Sequence, residues 1–368
     1  MPQMPVFDVF NAVIKKAVEL NASDIHISAG GPFRLRIKGE IVPLNTEMLK
    51  PQDTATIAAE ILIAAKKCDR ENVQKHVESL TDFDCSYSLA QVSRFRVNIC
   101  SQRGSLALVL RTISFTIPDF ENLGLPAVLR DIALEPRGLV LVTGITGSGK
   151  SSTLAAMISC VNQNRSSKIV TIEDPIEFLH RDVKSTVVQR ELGGDTESFA
   201  RALRAALRQD PDIILVGEMR DKETIDIALK AAETGHLVFS TVHTTDAPKT
   251  ISRLVSVFDA SEQYSTRMRL AETLKAAISQ RLLARKDSRG RVVAVEVMRQ
   301  TKTIQDCIEN PEKTAAIKDH MEKGREQYGM QTFDQHVTEL YLKELISLET
   351  AKSAATSPAD FERNLQYQ

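Results

Sequence analysis

The sequence lacks the features that would place it within a membrane, in an oxidising compartment or on a polyanion. None of its apolar runs approaches the roughly 18–20 residues of a membrane-spanning helix. Residues 1–12 carry no basic segment followed by an apolar core, so the pattern of a secretory signal peptide is missing. The five cysteines, Cys68, Cys85, Cys100, Cys160 and Cys307, are scattered and odd in number. No two stand as C-x-x-C, which excludes the usual zinc and redox motifs and fits reduced, mostly buried thiols of a cytoplasmic protein. The formal net charge is −1, so the overall balance gives no attraction for nucleic acid or an anionic membrane surface. Internal repeats and low-complexity tracts are also missing.

What remains is the bulk composition of a soluble globular protein: 368 residues, 42% apolar and 26% charged, enough for two or three domains. Residues 6–20 have a helical apolar rhythm, with Phe7, Phe10, Ile14, Ala17 and Val18 on one side. Residues 21–28 alternate, 33–37 and 40–44 read as a hairpin around Lys38-Gly39, and 54–67 are helical. The stretches 83–89, 94–100 and 105–113 alternate like antiparallel strands. Together these predict a small α+β domain over 1–112. Pro118, Gly124 and Pro126 mark 113–126 as a linker. Beyond it, short apolar runs at 138–143, 168–172, 212–216 and 236–240 alternate with helical stretches at 152–161, 198–208 and 222–233. Residues 292–297 add a further strand. This alternation predicts an α/β core with a parallel sheet over 127–298. Residues 299–368 read as helices with charged faces.

The most specific signal is G-I-T-G-S-G-K-S at 144–151, a full match to the phosphate-binding loop G-x-x-x-x-G-K-[ST]. Its flanks are right as well as its letters, a buried strand before it and a helix after it. Gly144, Gly147 and Gly149 let the backbone curl so that its N–H groups, with those of Thr146, Ser148 and Ser152, face phosphate oxygens. Lys150 reaches the β/γ-phosphates, and Ser151 offers its hydroxyl to Mg²⁺.

Hydrolysis needs more than a cradle, and three segments end where a parallel sheet places its ligands, past the C-terminal ends of strands. The first is T-I-E-D-P-I-E at 171–177, with Glu177. The second is D-I-I-L-V-G-E-M-R-D at 212–221, four apolar residues leading to Glu218, which could accept from a Mg²⁺-bound water or polarise the attacking one. Each acid has a plainer use as a helix N-terminal carboxylate. The third is S-T-V-H-T-T-D at 240–246, which puts His243 at the same sheet edge; His236, at the opposite end of that strand, reads as structural. Arg94, Arg96, Arg103 and Arg111 gather in the last strands of the N-terminal domain. They serve equally well as a solvated sheet face or as charge for a transition state. Arg201, Arg204 and Arg208 share one face of a predicted helix, either solvated or an interface.

The four motifs in this order, P-loop, acidic box, Walker B-like strand and the box T-G-H-L-V-F-S-T-V-H-T-T-D-A at 234–247, resemble the secretion ATPases of the PilT/VirB11-like superfamily. Within it they are most similar to PilT-type retraction motors of type IV pili. A-S-D-I-H-I at 22–27 and R-F-R-V-N at 94–98 are further landmarks, and the resemblance spans roughly residues 5–345. It implies a PAS-like N-terminal domain, a RecA-like ATPase core, a homohexameric ring and ATP bound between the domains. It also implies that Arg96 and Arg111 reach the γ-phosphate, Glu177 positions or activates water, Glu218 supports Mg²⁺ and His243 is the histidine-box residue. The implied place is the cytoplasmic face of the inner membrane, against a pilus platform protein, without a transmembrane segment. Assembly motors of the superfamily carry an extra N-terminal domain and a four-cysteine zinc site, so the absence of both here favours retraction. The segment that retraction motors share as A-I-R-N-L-I-R-E-G reads A-I-K-D-H-M-E-K-G at 316–324. That departure keeps an accessory or assembly-type motor as the alternative; the net charge and the histidine box disfavour a nucleic-acid motor, and the intact Lys150, Glu177 and Glu218 disfavour a ring subunit that binds ATP without hydrolysing it.

Overall fold

The computed structural model describes residues 5–113 and 116–365. Two compact units emerge: residues 1–116 with 175–179 and 193–195, and residues 117–174 with 180–192 and 196–368.

The first unit begins with α1 (Val6–Glu19), β1 (Asp24–Ser28), β2 (Arg34–Ile37), β3 (Glu40–Pro43), α2 (Pro51–Ala64) and α3 (Val73–Glu78). It closes with β4 (Asp82–Leu89), β5 (Ser93–Gln102) and β6 (Ser105–Ile113). The strands form one antiparallel sheet in the order β3-β2-β1-β6-β5-β4. Alternation decides its faces: Phe95, Val97 and Ile99 of β5 and Leu106, Leu108 and Leu110 of β6 point into a core with Phe10 and Ile14 of α1 and Ile57 and Ile61 of α2. Within this unit the Lys67 ammonium donates to the Gly193 carbonyl.

The second unit runs α4 (Val128–Ala133), β7 (Gly138–Thr143), α5 (Lys150–Asn164), β8 (Lys168–Glu173), β9 (Thr186–Glu191), α6 (Phe199–Ala206), β10 (Ile213–Val216) and α7 (Lys222–Glu233). It continues with β11 (Leu237–Val242), α8 (Ala247–Ser256), α9 (Ala260–Thr273), β12 (Leu274–Ala284), β13 (Arg291–Arg299) and α10 (Lys302–Glu309). After a 3₁₀ turn (Pro311–Ala316) come α11 (Ile317–Lys323), α12 (Arg325–Tyr328), α13 (Phe333–Leu342), α14 (Leu348–Ala354) and α15 (Pro358–Leu365). The sheet order is β13-β12-β7-β11-β10-β8-β9, parallel throughout except for edge strand β13. The central strands are apolar on both faces because both faces are covered. Leu139 and Leu141 of β7 enter the core with α6 to α11, while Val140 and Val142 enter the core with α4 and α5.

Several expectations change here. Of the expected linker at 113–126, Ser114 and Phe115 lie outside the described residues, and the remainder is not a free tether, because Phe120 and Leu125 are buried against the second sheet. The helices described after residue 299 pack on the sheet: Ile304, Ile308, Ile317 and Met321 join the main core, and Phe333, Val337 and Leu340 pack with Ala294 of β13. Two strands were not expected from sequence. β9 is a polar edge, and β12 (L-K-A-A-I-S-Q-R-L-L-A) has helix-favouring composition that burial between β7 and β13 overrides. Helix α6 ends at Ala206, so Arg208 lies beyond it and the expected three-arginine helical face is reduced to Arg201 and Arg204. Expectations that touch residues 1–4 or 366–368 also lie outside the described residues.

Candidate functional site

The P-loop joins β7 to α5. Gly144 (φ 144°), Gly147 (φ 78°) and Gly149 (φ 92°) all have positive φ, which explains the glycines. At Gly144 a side chain would also strike the Gln280 carbonyl, 2.6 Å from an ideal Cβ, and the Ser148 hydroxyl at 2.5 Å. Gly149 caps α5, whose first N–H groups have no intrahelical acceptor and whose dipole favours an anion. Lys150 is 8% exposed, and its ammonium donates to the carbonyls of Gly144 (2.9 Å) and Ile145 (3.0 Å). The Ser148 hydroxyl is buried with no hydrogen-bond partner among the described residues. Thr146 and Gly147 are exposed at the tip of the loop, while Ser151 and Ser152 are half-buried in the first turn of α5. A curled glycine backbone, a helix N-terminus, a buried ammonium and an orphaned hydroxyl fit a polyphosphate. Mg²⁺ at such a site takes most of its ligands from phosphate and water, so one or two protein oxygens, Ser151 and Glu218, suffice.

β7, β11, β10 and β8 are parallel neighbours, so the residues after them share the sheet edge of the P-loop. Glu218 follows β10 and His243 follows β11, and the His243 Nε2 to Glu218 Oε1 distance is 3.2 Å. The same Oε1 accepts from Arg220 Nε at 2.5 Å. Glu218 is 17% exposed and the Arg220 side chain 75%. The Glu218 carboxylate, through hydrogen bond and charge, holds the Arg220 guanidinium above its ordinary pKa. The turn that presents Glu218 is locked by the histidine-box strand. Ser240 Oγ donates to the Val216 carbonyl (2.7 Å), Thr241 Oγ1 to the Gly217 carbonyl (2.6 Å), and Met219 N–H to the Thr241 carbonyl (3.2 Å). Gly217 leaves room for β8, since an added Cβ would lie 3.1 Å from the Ile172 carbonyl. The sequence reading missed Glu173, the last residue of β8, which accepts from Thr171 Oγ1 (2.6 Å) and Gln189 Nε2 (3.0 Å). Its signal was the first glutamate of the acidic box, at the strand terminus. His236 bonds locally, to the Ala231 carbonyl at 2.9 Å and to Thr234 Oγ1 at 3.2 Å, as a structural residue does.

Three of the expected residues lie in the first unit. Glu177 is exposed, on segment 175–179. Arg96 and Arg111 face each other directly across β5 and β6, both exposed. At the same register Asp24 of β1 stands beside Arg111, and Arg36 of β2 beside Asp24. Asp24 Oδ1 accepts from Arg111 Nε at 2.9 Å, and Arg36 Nε lies 3.7 Å from Oδ2. Burial pushes the Asp24 carboxyl up, but the Ser23 hydroxyl and the Arg111 guanidinium outweigh it and hold the group below its ordinary value. The row carries three guanidinium groups and one carboxylate, and two arginines directly opposite repel unless an anion joins them. Of the other cations, Arg201 pairs with Glu197 and Arg204 with Glu223.

With this geometry in hand, the family model for type II/IV secretion system proteins matches residues 2–365. The chain belongs to this family. It is 45% identical over 340 residues to the type IV pilus retraction ATPase PilT of Pseudomonas aeruginosa, spanning 92% of this chain and 96% of the relative. It is 37% identical over 353 residues to the type IV pilus ATPase PilU of the same organism, spanning 95% and 90%. A crystal structure of the pilus retraction motor PilT with bound ADP superposes with a TM-score of 0.83 at 45% identity, covering 95% of this chain and 98% of that one. Membership agrees with the α/β core and the P-loop. Among the described residues no helix is long and apolar enough to cross a membrane.

Proposed function

We propose that this protein is a motor ATPase that hydrolyses ATP to ADP and phosphate and retracts type IV pili, the basis of twitching motility. It works as a homohexamer with Mg²⁺, at the cytoplasmic face of the inner membrane against a pilus platform protein. The reading is carried by a complete P-loop with a Glu218–His243 pair at the same sheet edge, in a chain 45% identical to PilT over nearly its full length. The loop amides and Lys150 bind and orient the triphosphate. Ser151 and Glu218 would hold Mg²⁺, which when bound offsets phosphate charge. Glu218, oriented by His243, is placed to take up a proton from water, and Glu177 serves as a second acid. Arg96 and Arg111 supply charge that stabilises the γ-phosphate during hydrolysis.

One observation keeps an accessory motor as the second reading. In 316–324 the shared Ile317 and the altered Met321 are fully buried, and a side chain on the shared Gly324 would lie 3.0 Å from the His320 carbonyl. Three of the departures, Asp319, Glu322 and Lys323, are exposed, where a partner would meet them. The test is pilus dynamics in cells whose sole copy is wild type or Glu218→Ala, with purified ATPase rates alongside. Retraction and ATPase present in wild type and absent in the variant establish the motor. Robust ATPase without retraction indicates the accessory role.

Ring formation has its own test. Arg204→Glu is expected to abolish the hexamer in sedimentation. Because Arg204 already pairs with Glu223 within the chain, the double variant Arg204→Glu/Glu223→Arg restores that local pair. If the double variant is hexameric, the arginine acts within the chain and its interface role is lost.

A further inference from the structure

A carboxylate stands where the sheet should be apolar. Glu296 lies in β13 within V-V-A-V-E-V-M and is 3% exposed. It is directly opposite Ser279 of β12, which is directly opposite Thr143 of β7, the residue before the P-loop. Thr143 Oγ1 donates to Ser279 Oγ at 3.0 Å, and Ser279 Oγ donates to Glu296 Oε1 at 3.4 Å. The same Oε1 accepts the backbone N–H of Ala247 at 2.9 Å. Ala247 is the first residue of α8, the helix that the histidine box enters after His243, and Asp246 caps it. One buried acid therefore ties the strand that carries the phosphate loop to the box that holds His243 against Glu218.

We propose that Glu296 is a positioning residue for ATP hydrolysis, its ionised carboxylate holding the histidine box in register with the P-loop. The ionised form accepts both donors on one oxygen; a proton on the carboxyl removes the charge that strengthens these bonds and so weakens both links. Burial pushes the Glu296 carboxyl up to about 7, so the link is itself titratable near neutrality. The groups acting on it from neighbouring elements are Asp246 of the α8 cap, which disfavours the charge, and Arg281 of β12 and Lys318 of α11, which favour it. Each is engaged: Asp246 with Lys249 (2.9 Å), Arg281 with the Ala354 carbonyl (2.9 Å) and Lys318 with Asp334 (3.0 Å). His336 of α13 accepts the Val295 N–H, and burial first, then Lys343, lower it to about 4, so it stays neutral over the relevant range.

The inference rests on the site being an ATPase site, and the test separates the two. Glu296→Gln keeps shape and an acceptor for Ala247 but cannot ionise. Wild-type kcat should fall as pH drops through about 7, whereas the variant should be flat and about tenfold slower at about pH 8, with affinity for a fluorescent ADP analogue within about twofold. An unchanged kcat, or the same acid limb in the variant, overturns the proposal. If the variant does not fold, Ser279→Ala removes one donor to the carboxylate and should shift the acid limb to higher pH; an unmoved limb overturns it equally. A nucleotide-free readout is independent of turnover. The folded carboxyl titrates near 7 and the unfolded one near 4.5, so between these values the folded state retains a proton that the unfolded state releases. Wild-type stability is therefore lost as pH rises from about 4.5 to about 7, and the unfolding-midpoint advantage of Glu296→Gln should widen across that window. A widening gap in a protein without ATPase activity would uphold the buried titration and sink the motor reading; a constant gap sinks the inference.

Discussion

Lys150→Ala loses ATP turnover by at least about a thousandfold, because the residue supplies the one buried cation at the phosphate cradle. Lys150 is 8% exposed, and its ammonium reaches the carbonyls of Gly144 and Ile145 from the start of α5. With a triphosphate present, those carbonyl bonds give way to phosphate oxygens, and a charge already desolvated by the fold interacts strongly. Alanine leaves the loop glycines and the helix dipole intact but removes the charge, so nucleotide affinity also falls, by about ten- to a hundredfold. Lys150→Arg does not rescue, since a planar guanidinium cannot replace a compact ammonium beneath Gly144. Steady-state ATPase assays and titration with a fluorescent ATP analogue check both effects. Near-wild-type turnover in Lys150→Ala would remove the P-loop from the mechanism.

Glu218→Gln separates binding from chemistry. The amide occupies the same space and can still meet His243 and Arg220 through its oxygen, so the turn held by Ser240 and Thr241 persists. What disappears is the negative charge that accepts a proton or a metal-bound water. The expected result is a fall of about a hundred- to ten-thousandfold in kcat, with ATP affinity within about threefold. The paired measurement on Glu177→Gln ranks the two acids: the general base gives the larger loss of kcat. If Glu218→Gln retains more than about a tenth of the wild-type kcat, the Glu218–His243 pair is a structural contact and the acid lies elsewhere.

Much of this was legible in the residues. The P-loop is a local motif whose geometry its own glycines dictate, and β7 and α7 lie where the apolar patterns put them. Strand β12 was not legible, because alanine, leucine, lysine and glutamine favour a helix in isolation, and only neighbours on both sides hold the segment extended. The packing of the 116–126 segment was not legible for a related reason: Pro118, Gly124 and Pro126 signal turns, but whether Phe120 between them is exposed or buried depends on a sheet elsewhere in the chain. Glu296 left a trace, one acid in an apolar run, but nothing local says which donors it meets.

By itself the sequence determined the chemistry of the chain: a phosphate-binding loop, acids and a histidine at strand ends, and a composition suited to a globular protein rather than a membrane span. Those are properties of short segments, where residue type and spacing set the backbone and the available groups. Tertiary structure alone decided which groups meet. Thr143 bonds to Ser279 across 136 residues and Ala247 to Glu296 across 49, and only the order of strands in the sheet makes them neighbours. The same order brings His243 to Glu218, because β10 and β11 are adjacent and parallel and end at one edge. Strand order is fixed by the packing of whole faces against helices, a property of the folded chain that no single motif contains.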